Sequence, residues 1–181
     1  MDHIKATFAK CKEQKRAALV SYITAGYPTV EETVDILLGL ESGGAGMSIL
    51  SSCPWFPPPP RLVREKEEGR KEERKLNEID IIELGIPFTD PIADGPTIQT
   101  ANTKALANGV TVTTVLEIVR TARSKGLQTP VLFMGYFNPM MRYGEERMLQ
   151  DCKDVGVSGF IMVDLPPEEA VRFRNMCTSY G

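Results

Sequence analysis

Three carboxylates stand close together in one stretch of the chain, residues 83–99, which reads ELGIPFTDPIADGPTIQ. Glu83 ends a short apolar run, whereas Asp90 and Asp94 lie in a segment rich in proline and glycine. Proline fixes the backbone angle φ, and a carboxylate that exchanges a proton with one substrate atom needs a fixed backbone. The stretch therefore predicts a site for acid–base chemistry, with a solvated acidic loop as the alternative for any one carboxylate.

Short apolar strands that alternate with helices must position these carboxylates. Continuously apolar strands are typical of a parallel sheet covered on both faces, and each predicted strand here is followed by polar sequence rich in proline or glycine. Such alternation predicts either an open doubly wound α/β sheet or a (βα) barrel, and the polar strand ends favour the mouth of a barrel. The four predicted strands are 17–24, 79–84, 130–134 and 159–163.

Helical patterns occupy the segments between these strands. Thr29 is predicted to cap one helix because Glu32 follows three residues later, as in a capping box. Glycines end several of the others. The six predicted helices are 3–14, 30–40, 97–108, 113–124, 144–154 and 167–179.

Composition excludes several classes of function. A chain of 181 residues is one domain, or part of a larger one, and its net charge of -3 gives no electrostatic case for nucleic acid or an anionic membrane. No apolar run reaches the ~18 residues that span a bilayer, and the N-terminus lacks the apolar core of a signal peptide, so we expect a cytoplasmic protein. Four dispersed cysteines and one histidine predict neither a metal site nor a disulfide framework.

Residues 46–79 break the pattern of strands and helices. They contain the only tryptophan, the proline run 57–60 and a charged run, 61–74. One interpretation is a proline-rich, charged surface insertion, which could bind an SH3- or WW-like partner. The sharper hypothesis is an unspliced intron, because joining Ala45 to Asp80 restores an ordinary passage from helix through turn to strand. Sequencing of the spliced transcript decides between them.

With that segment set aside, the chain resembles the α component of tryptophan synthase. Four motifs carry the resemblance: SYITAGYP (21–28), DIIELGIPFTDPIADGPTIQ (80–99), MGYFNPMMRYG (134–144) and GVSGFIMVDLPPEE (156–169). The second is highly specific, and the others are moderately specific but occur in the order of the family. The form in which α and β portions are fused, as in fungi, is the most similar.

The resemblance implies a (βα)8 TIM barrel of which residues 1–181 are the first half, about four βα units after an N-terminal helix. It further implies a lyase of tryptophan biosynthesis, which cleaves indole-3-glycerol phosphate to indole and glyceraldehyde 3-phosphate by a retro-aldol reaction. A carboxyl group that both gives and takes a proton suits this chemistry. Glu83 matches the acid/base of the family, and Asp94 matches the second catalytic carboxylate, which holds the indole N–H.

The remaining site residues also follow from the resemblance. Tyr136 matches a position that lines the indole pocket, with simple packing at a strand end as the alternative. Asn138, Pro139 and Pro166 match the surface that contacts the β portion, although by themselves they are only turn formers. The resemblance implies no cofactor in this portion and pyridoxal phosphate (PLP) in the partner β portion. Asp90 is expected to serve structure or the interface.

The chain stops at Gly181, before the later strands whose loops hold the substrate phosphate in barrels of this type. We therefore expect the 1–181 polypeptide to carry the acid–base half of the site and to show no lyase activity alone. The alternative is a non-catalytic fragment or proline-rich interaction module from a decayed or misannotated gene.

Overall fold

Four parallel strands form one sheet in the order in which they occur along the chain. The computed structural model describes residues 2–42 and 79–180. In this part the sheet order is β1-β2-β3-β4, without the reversal of direction that marks a doubly wound sheet. The sequential order therefore favours the barrel of the two predicted architectures. The strands are β1 (Val20–Thr24), β2 (Ile81–Gly85), β3 (Val131–Gly135) and β4 (Gly159–Met162).

Seven helices lie in the described ranges. The predicted cap of the second is confirmed, since the Thr29 hydroxyl accepts a hydrogen bond from the Glu32 N–H at 3.2 Å. Thr111 and Thr114 form a reciprocal capping box on the fourth. The helices are α1 (Asp2–Glu13), α2 (Val30–Glu41), α3 (Pro96–Ala107), α4 (Val112–Ser124), α5 (Phe137–Tyr143), α6 (Glu145–Val155) and α7 (Pro167–Tyr180).

One face of the sheet packs against the helices. Ile82, Leu84, Val131 and Phe133 share this face in register, and each is 0% exposed. They join side chains of α2 and α4 in a single apolar cluster. This alternation fixes which strand residues face the other way, because successive side chains of a strand point to opposite faces.

The opposite face holds the residues that alternate with this core. Tyr22, Glu83 and Leu132 are in direct register across β1, β2 and β3, and all three are only partly buried. In a closed barrel this face would be the interior. Glu83, the middle residue of β2, is thus placed on the face opposite this core.

The amino end of the sheet is closed by an ion pair. The Arg16 guanidinium donates two hydrogen bonds to the Asp80 carboxylate, at 2.5 and 2.6 Å. The same carboxylate accepts a bond from the Leu19 N–H at 2.8 Å. Together these contacts fasten the segment after α1 to the start of β2.

Two predictions about elements were wrong. The segment 137–143 is the helix α5, although only turn residues were expected at Asn138 and Pro139. Pro139 lies in the first turn, where a missing N–H costs no helical hydrogen bond. β1 begins at Val20 rather than residue 17, because Val20, opposite Ile81, is the first residue in register with β2. The predicted insertion, 46–79, lies outside the described residues apart from Ile79.

Candidate active site

Glu83 is a carboxylate presented by a rigid strand. Its neighbours Ile82 and Leu84 are fully buried on the helix-facing side, which directs the Glu83 side chain to the opposite face. Within residues 2–42 and 79–180 the Glu83 carboxylate has no hydrogen bond and no ion pair. A half-buried carboxylate without a fixed partner can bind a substrate hydroxyl and exchange a proton with it.

Tyr136, which directly follows β3, holds the acidic loop that follows β2. Its hydroxyl accepts a hydrogen bond from the Ala93 N–H at 2.9 Å. Its ring lies against Phe88, with 5.1 Å between the ring centroids. The side chain is only 4% exposed, so its ring is part of the packed interior while its hydroxyl secures the loop.

Asp94 lies at the end of this loop and is held at both its backbone and its side chain. Its carbonyl accepts a bond from the Gln99 side chain at 2.9 Å, and its N–H bonds the Pro91 carbonyl at 3.1 Å. Its carboxylate accepts a bond from the Asn102 amide at 3.3 Å, and its charge acts on the nearby Tyr136 phenol. Asp94 is therefore the most firmly positioned acid of the loop.

The electrostatics confirm that these groups share one environment. The pKa of Tyr136 is raised, first by burial and then by the negative charge of Asp94. The pKa of Tyr22 is also raised, first by burial and further by the charges of Asp94 and Glu83. Both carboxylates are therefore close enough to Tyr22 to influence its ionisation. The predicted residues Glu83, Asp94 and Tyr136 all lie near Tyr22.

Asp90 has a local role in the same loop. The Thr89 hydroxyl bonds its carboxylate at 2.6 Å, and its carbonyl accepts the Ile92 N–H at 2.8 Å. The residue is exposed, and its bonds stay within its own turn. Its role in structure or at the interface stays a prediction.

The residues predicted to contact a partner lie after β3 and β4, at the same carboxyl end. Asn138 and Pro139 form the first turn of α5, and Pro166 precedes α7. Asp164 joins the two segments, because its carboxylate accepts the Phe137 N–H at 2.7 Å. Asn138 and Pro166 are exposed, so this end presents a surface beside the carboxylates.

A cavity of about 830 Å³ lies elsewhere, lined by residues just before β3, by β4 and by α6 and α7. Neither Glu83 nor Asp94 contributes to it. In parallel α/β folds, ligands bind at the carboxyl ends of strands, so we assign the site to the carboxylates rather than to this cavity. In the described ranges no group of acidic, histidine and cysteine side chains could hold a metal ion.

Sequence reasoning missed three residues of this region. Tyr22 could have been found, because alignment of the predicted strands places it opposite Glu83. Asp164 could also have been found, because it is an acidic residue that follows a predicted strand. Asn102 gave no signal, because an asparagine inside a helix has no pattern that reveals a distant carboxylate as its partner.

Comparisons with known proteins agree with this geometry. The family model described as "Tryptophan synthase alpha chain" matches residues 8–50 and 71–181, which leaves 51–70 unmatched. The chain is 46% identical over 180 residues to tryptophan synthase of Saccharomyces cerevisiae, covering 99% of this chain and 21% of that protein. It is 41% identical over 173 residues to the tryptophan synthase alpha chain of Methylibium petroleiphilum, covering 96% of this chain and 51% of that one.

A solved structure shows the same likeness. The crystal structure of tryptophan synthase subunit alpha from Legionella pneumophila matches with a TM-score of 0.78 and 35% identity, covering 100% of this chain and 56% of that chain. The chain thus spans about half the length of the alpha chains that it matches.

Fold and site together define a protein of the (βα)8 barrel class, here represented by four sequential βα units. The chain belongs to the tryptophan synthase alpha chain family. The predicted family and fold class are confirmed. In the described ranges, no helix is both long and apolar enough to cross a membrane.

Proposed function

We propose that this chain supplies the acid–base half of the site that cleaves indole-3-glycerol phosphate to indole and glyceraldehyde 3-phosphate, in tryptophan biosynthesis. One observation carries the proposal: Glu83 on β2 and Asp94 in the loop that follows β2 both lie near Tyr22, and neither has an ion-pair partner in the described ranges. Membership of the family supports the proposal. The activity, the substrate and the partner named here are those proposed for the whole enzyme.

In the proposed mechanism Glu83 moves the protons. It gives a proton to C3 of the indole ring and takes one from the side-chain hydroxyl, so that the hydroxyl carbon becomes the aldehyde as the bond to C3 breaks. A strand-borne carboxyl with no fixed partner can perform both transfers.

Asp94 stabilises the charge that develops on the ring. When C3 takes a proton, positive charge appears at the indole nitrogen, and a carboxylate held beside the N–H lowers the energy of that state. Tyr136 holds the loop that carries Asp94 and closes one side of the proposed indole pocket.

The partner in this proposal is the β portion of tryptophan synthase, fused or separate. Asn138, Pro139 and Pro166 are proposed to contact it, since they form a surface beside the site. PLP belongs to that β portion, and no cofactor is proposed for this one.

The decisive experiment transplants the chain into a relative. Residues 1–45 joined to 80–181 replace the matching half of the Legionella pneumophila alpha chain, and release of glyceraldehyde 3-phosphate from indole-3-glycerol phosphate is measured. We expect activity in the chimera and none in the 1–181 polypeptide alone. A folded chimera without activity would overturn the proposal.

Point variants of the chimera test the assigned roles. Glu83→Gln is expected to lower kcat by about 10³-fold, and Asp94→Asn by about 10²-fold. Asp90→Asn is the matched control in the same loop and should stay within a few-fold of the parent. A Glu83→Gln chimera with full activity would refute the role of Glu83.

We also propose that residues 46–79 are absent from the mature protein. The interruption of the family match at 51–70 supports this proposal. A mature transcript that retains the codons for 46–79 would exclude it.

A further inference from the structure

We infer that Asn102 is a positioning residue that holds the Asp94 carboxylate for the indole N–H. Asn102 lies on α3, eight residues beyond Asp94, and its Nδ2 donates to Asp94 Oδ2 at 3.3 Å. The inference rests on the role proposed above for Asp94. It adds a residue that touches neither the substrate nor the reacting atoms.

The burial of Asn102 is the first argument. The residue is 3% exposed, and its Oδ1 has no hydrogen-bond partner in the described part of the chain. A buried acceptor without a partner lowers stability, and an apolar side chain of the same size would avoid that loss. The amide is therefore costly for the fold, and its one hydrogen bond is made to a proposed catalytic carboxylate.

The second argument is the geometry around Asp94. Gln99 and Asn102, both on α3, bond its carbonyl and its carboxylate respectively, while the Tyr136 hydroxyl, at the end of β3, accepts the N–H of the preceding residue, Ala93. Two packed elements thus fix both the backbone and the side chain. A carboxylate accepts about four hydrogen bonds, so these contacts leave room for an indole N–H.

Removal of the Asn102 amide should let the carboxylate rotate away from Tyr136. Its backbone would stay in place, because the Gln99 bond to the carbonyl remains. A misplacement of about 1 Å at a reacting group costs up to about 10² in rate. The expected defect is therefore in kcat rather than in KM.

The test follows the Tyr136 Cζ signal by NMR in the 1–181 chain carrying ¹³C-labelled tyrosine, at neutral pH. This signal reports the effect of the Asp94 charge on the nearby phenol. Asn102→Leu should move it in the same direction as Asp94→Asn, by at least half as much, and the double variant should match Asp94→Asn. Should Asn102→Leu fail to fold, Asn102→Ala is measured instead.

Asn108→Leu is the matched control. Asn108 lies at the end of the same helix and bonds the carbonyls of Gly26 and Pro28 at 3.0 and 2.7 Å. Its loss should destabilise the chain and leave the Tyr136 signal unchanged. A Tyr136 signal that is unchanged in Asn102→Leu, or equally displaced in Asn108→Leu, would overturn the inference.

A second readout uses the active chimera. There Asn102→Leu should lower kcat about tenfold or more, with KM within about threefold. An unchanged kcat would overturn the catalytic part of the inference. A chimera that is inactive before any substitution would instead refute the proposed function, and the NMR measurement would still decide whether Asn102 positions Asp94.

Discussion

The carboxylates at the amino end of the sheet and those towards its carboxyl end have different partners. At the amino end, the Asp80 side chain is 4% exposed, and Arg16 and the Leu19 N–H hold it. The Arg16 hydrogen bonds lower its pKa to about 2 from an ordinary value of 3.8. At the carboxyl end, Glu83 has no ion-pair partner in the described ranges, and Asp94 is held by neutral side chains.

This difference separates stability from chemistry. A carboxylate paired with a guanidinium is locked in its charged form, which suits a clamp and prevents proton transfer. A carboxylate held by a neutral amide, like Asp94, keeps its orientation and can still bind a substrate. The barrel class shows the same division, with function at the carboxyl end and stability at the amino end. Four substitutions or conditions can break or sharpen the comparison.

The largest expected effect is at the amino end. Asp80→Ala removes the acceptor of two Arg16 hydrogen bonds and of the Leu19 N–H. We expect a loss of about 3 kcal/mol in the free energy of unfolding. Glu83→Ala is the matched change in the middle of β2. It should change the free energy of unfolding by about 0.5 kcal/mol or less. Urea denaturation of both variants makes the measurement. Equal losses in the two would contradict the division.

A steric test comes next. An added Cβ at Gly85 would overlap the Tyr22 hydroxyl and lie 2.8 Å from the ring carbon that bears it. Gly85→Ala should therefore destabilise by about 2 kcal/mol. Tyr22→Ala in the same chain should restore most of that loss, as thermal unfolding of the double variant would show. Additive losses would mean that the ring does not cause the strain.

The loop at the carboxyl end gives a smaller effect. Tyr136→Phe removes the acceptor of the Ala93 N–H while keeping the ring against Phe88. We expect a loss of about 1.5 kcal/mol. Hydrogen exchange at Ala93 should speed up well beyond the average change. If Ala93 exchanges no faster than the rest, the hydroxyl does not secure the loop.

Acid titration gives the smallest effect. Because the folded pKa of Asp80, about 2, lies below its ordinary 3.8, the stabilisation is present above pH 3.8 and is lost as pH falls through 2. Arg16 is one-third exposed, so after screening we expect about 1 kcal/mol. The parent and Asp80→Asn should therefore converge in stability between about pH 4 and pH 2. If the stabilities of the two proteins stay equally far apart over that pH range, the ion pair does not cause the difference.

Sequence patterns predicted those features that depend on local order. Strand runs, helix caps such as Thr29 and the acidic loop with Glu83 and Asp94 follow from periodicity and from proline and glycine. Helix α5 was missed, because its short sequence with Pro139 resembles a turn and its first N–H is satisfied by Asp164, far along the chain. Asn102 was missed for the same reason: its partner is defined by packing.

The strand order described above also sets how readily each strand opens. β2 and β3 are paired on both sides, whereas in the described ranges β1 and β4 are each paired on one side. Amide protons buried between two neighbours exchange only in large openings, and those at an edge exchange in smaller ones. Glu83 therefore lies on one of the two strands whose amide protons should exchange most slowly. The Glu83 carboxylate therefore has a fixed backbone, while the two outer strands open more often.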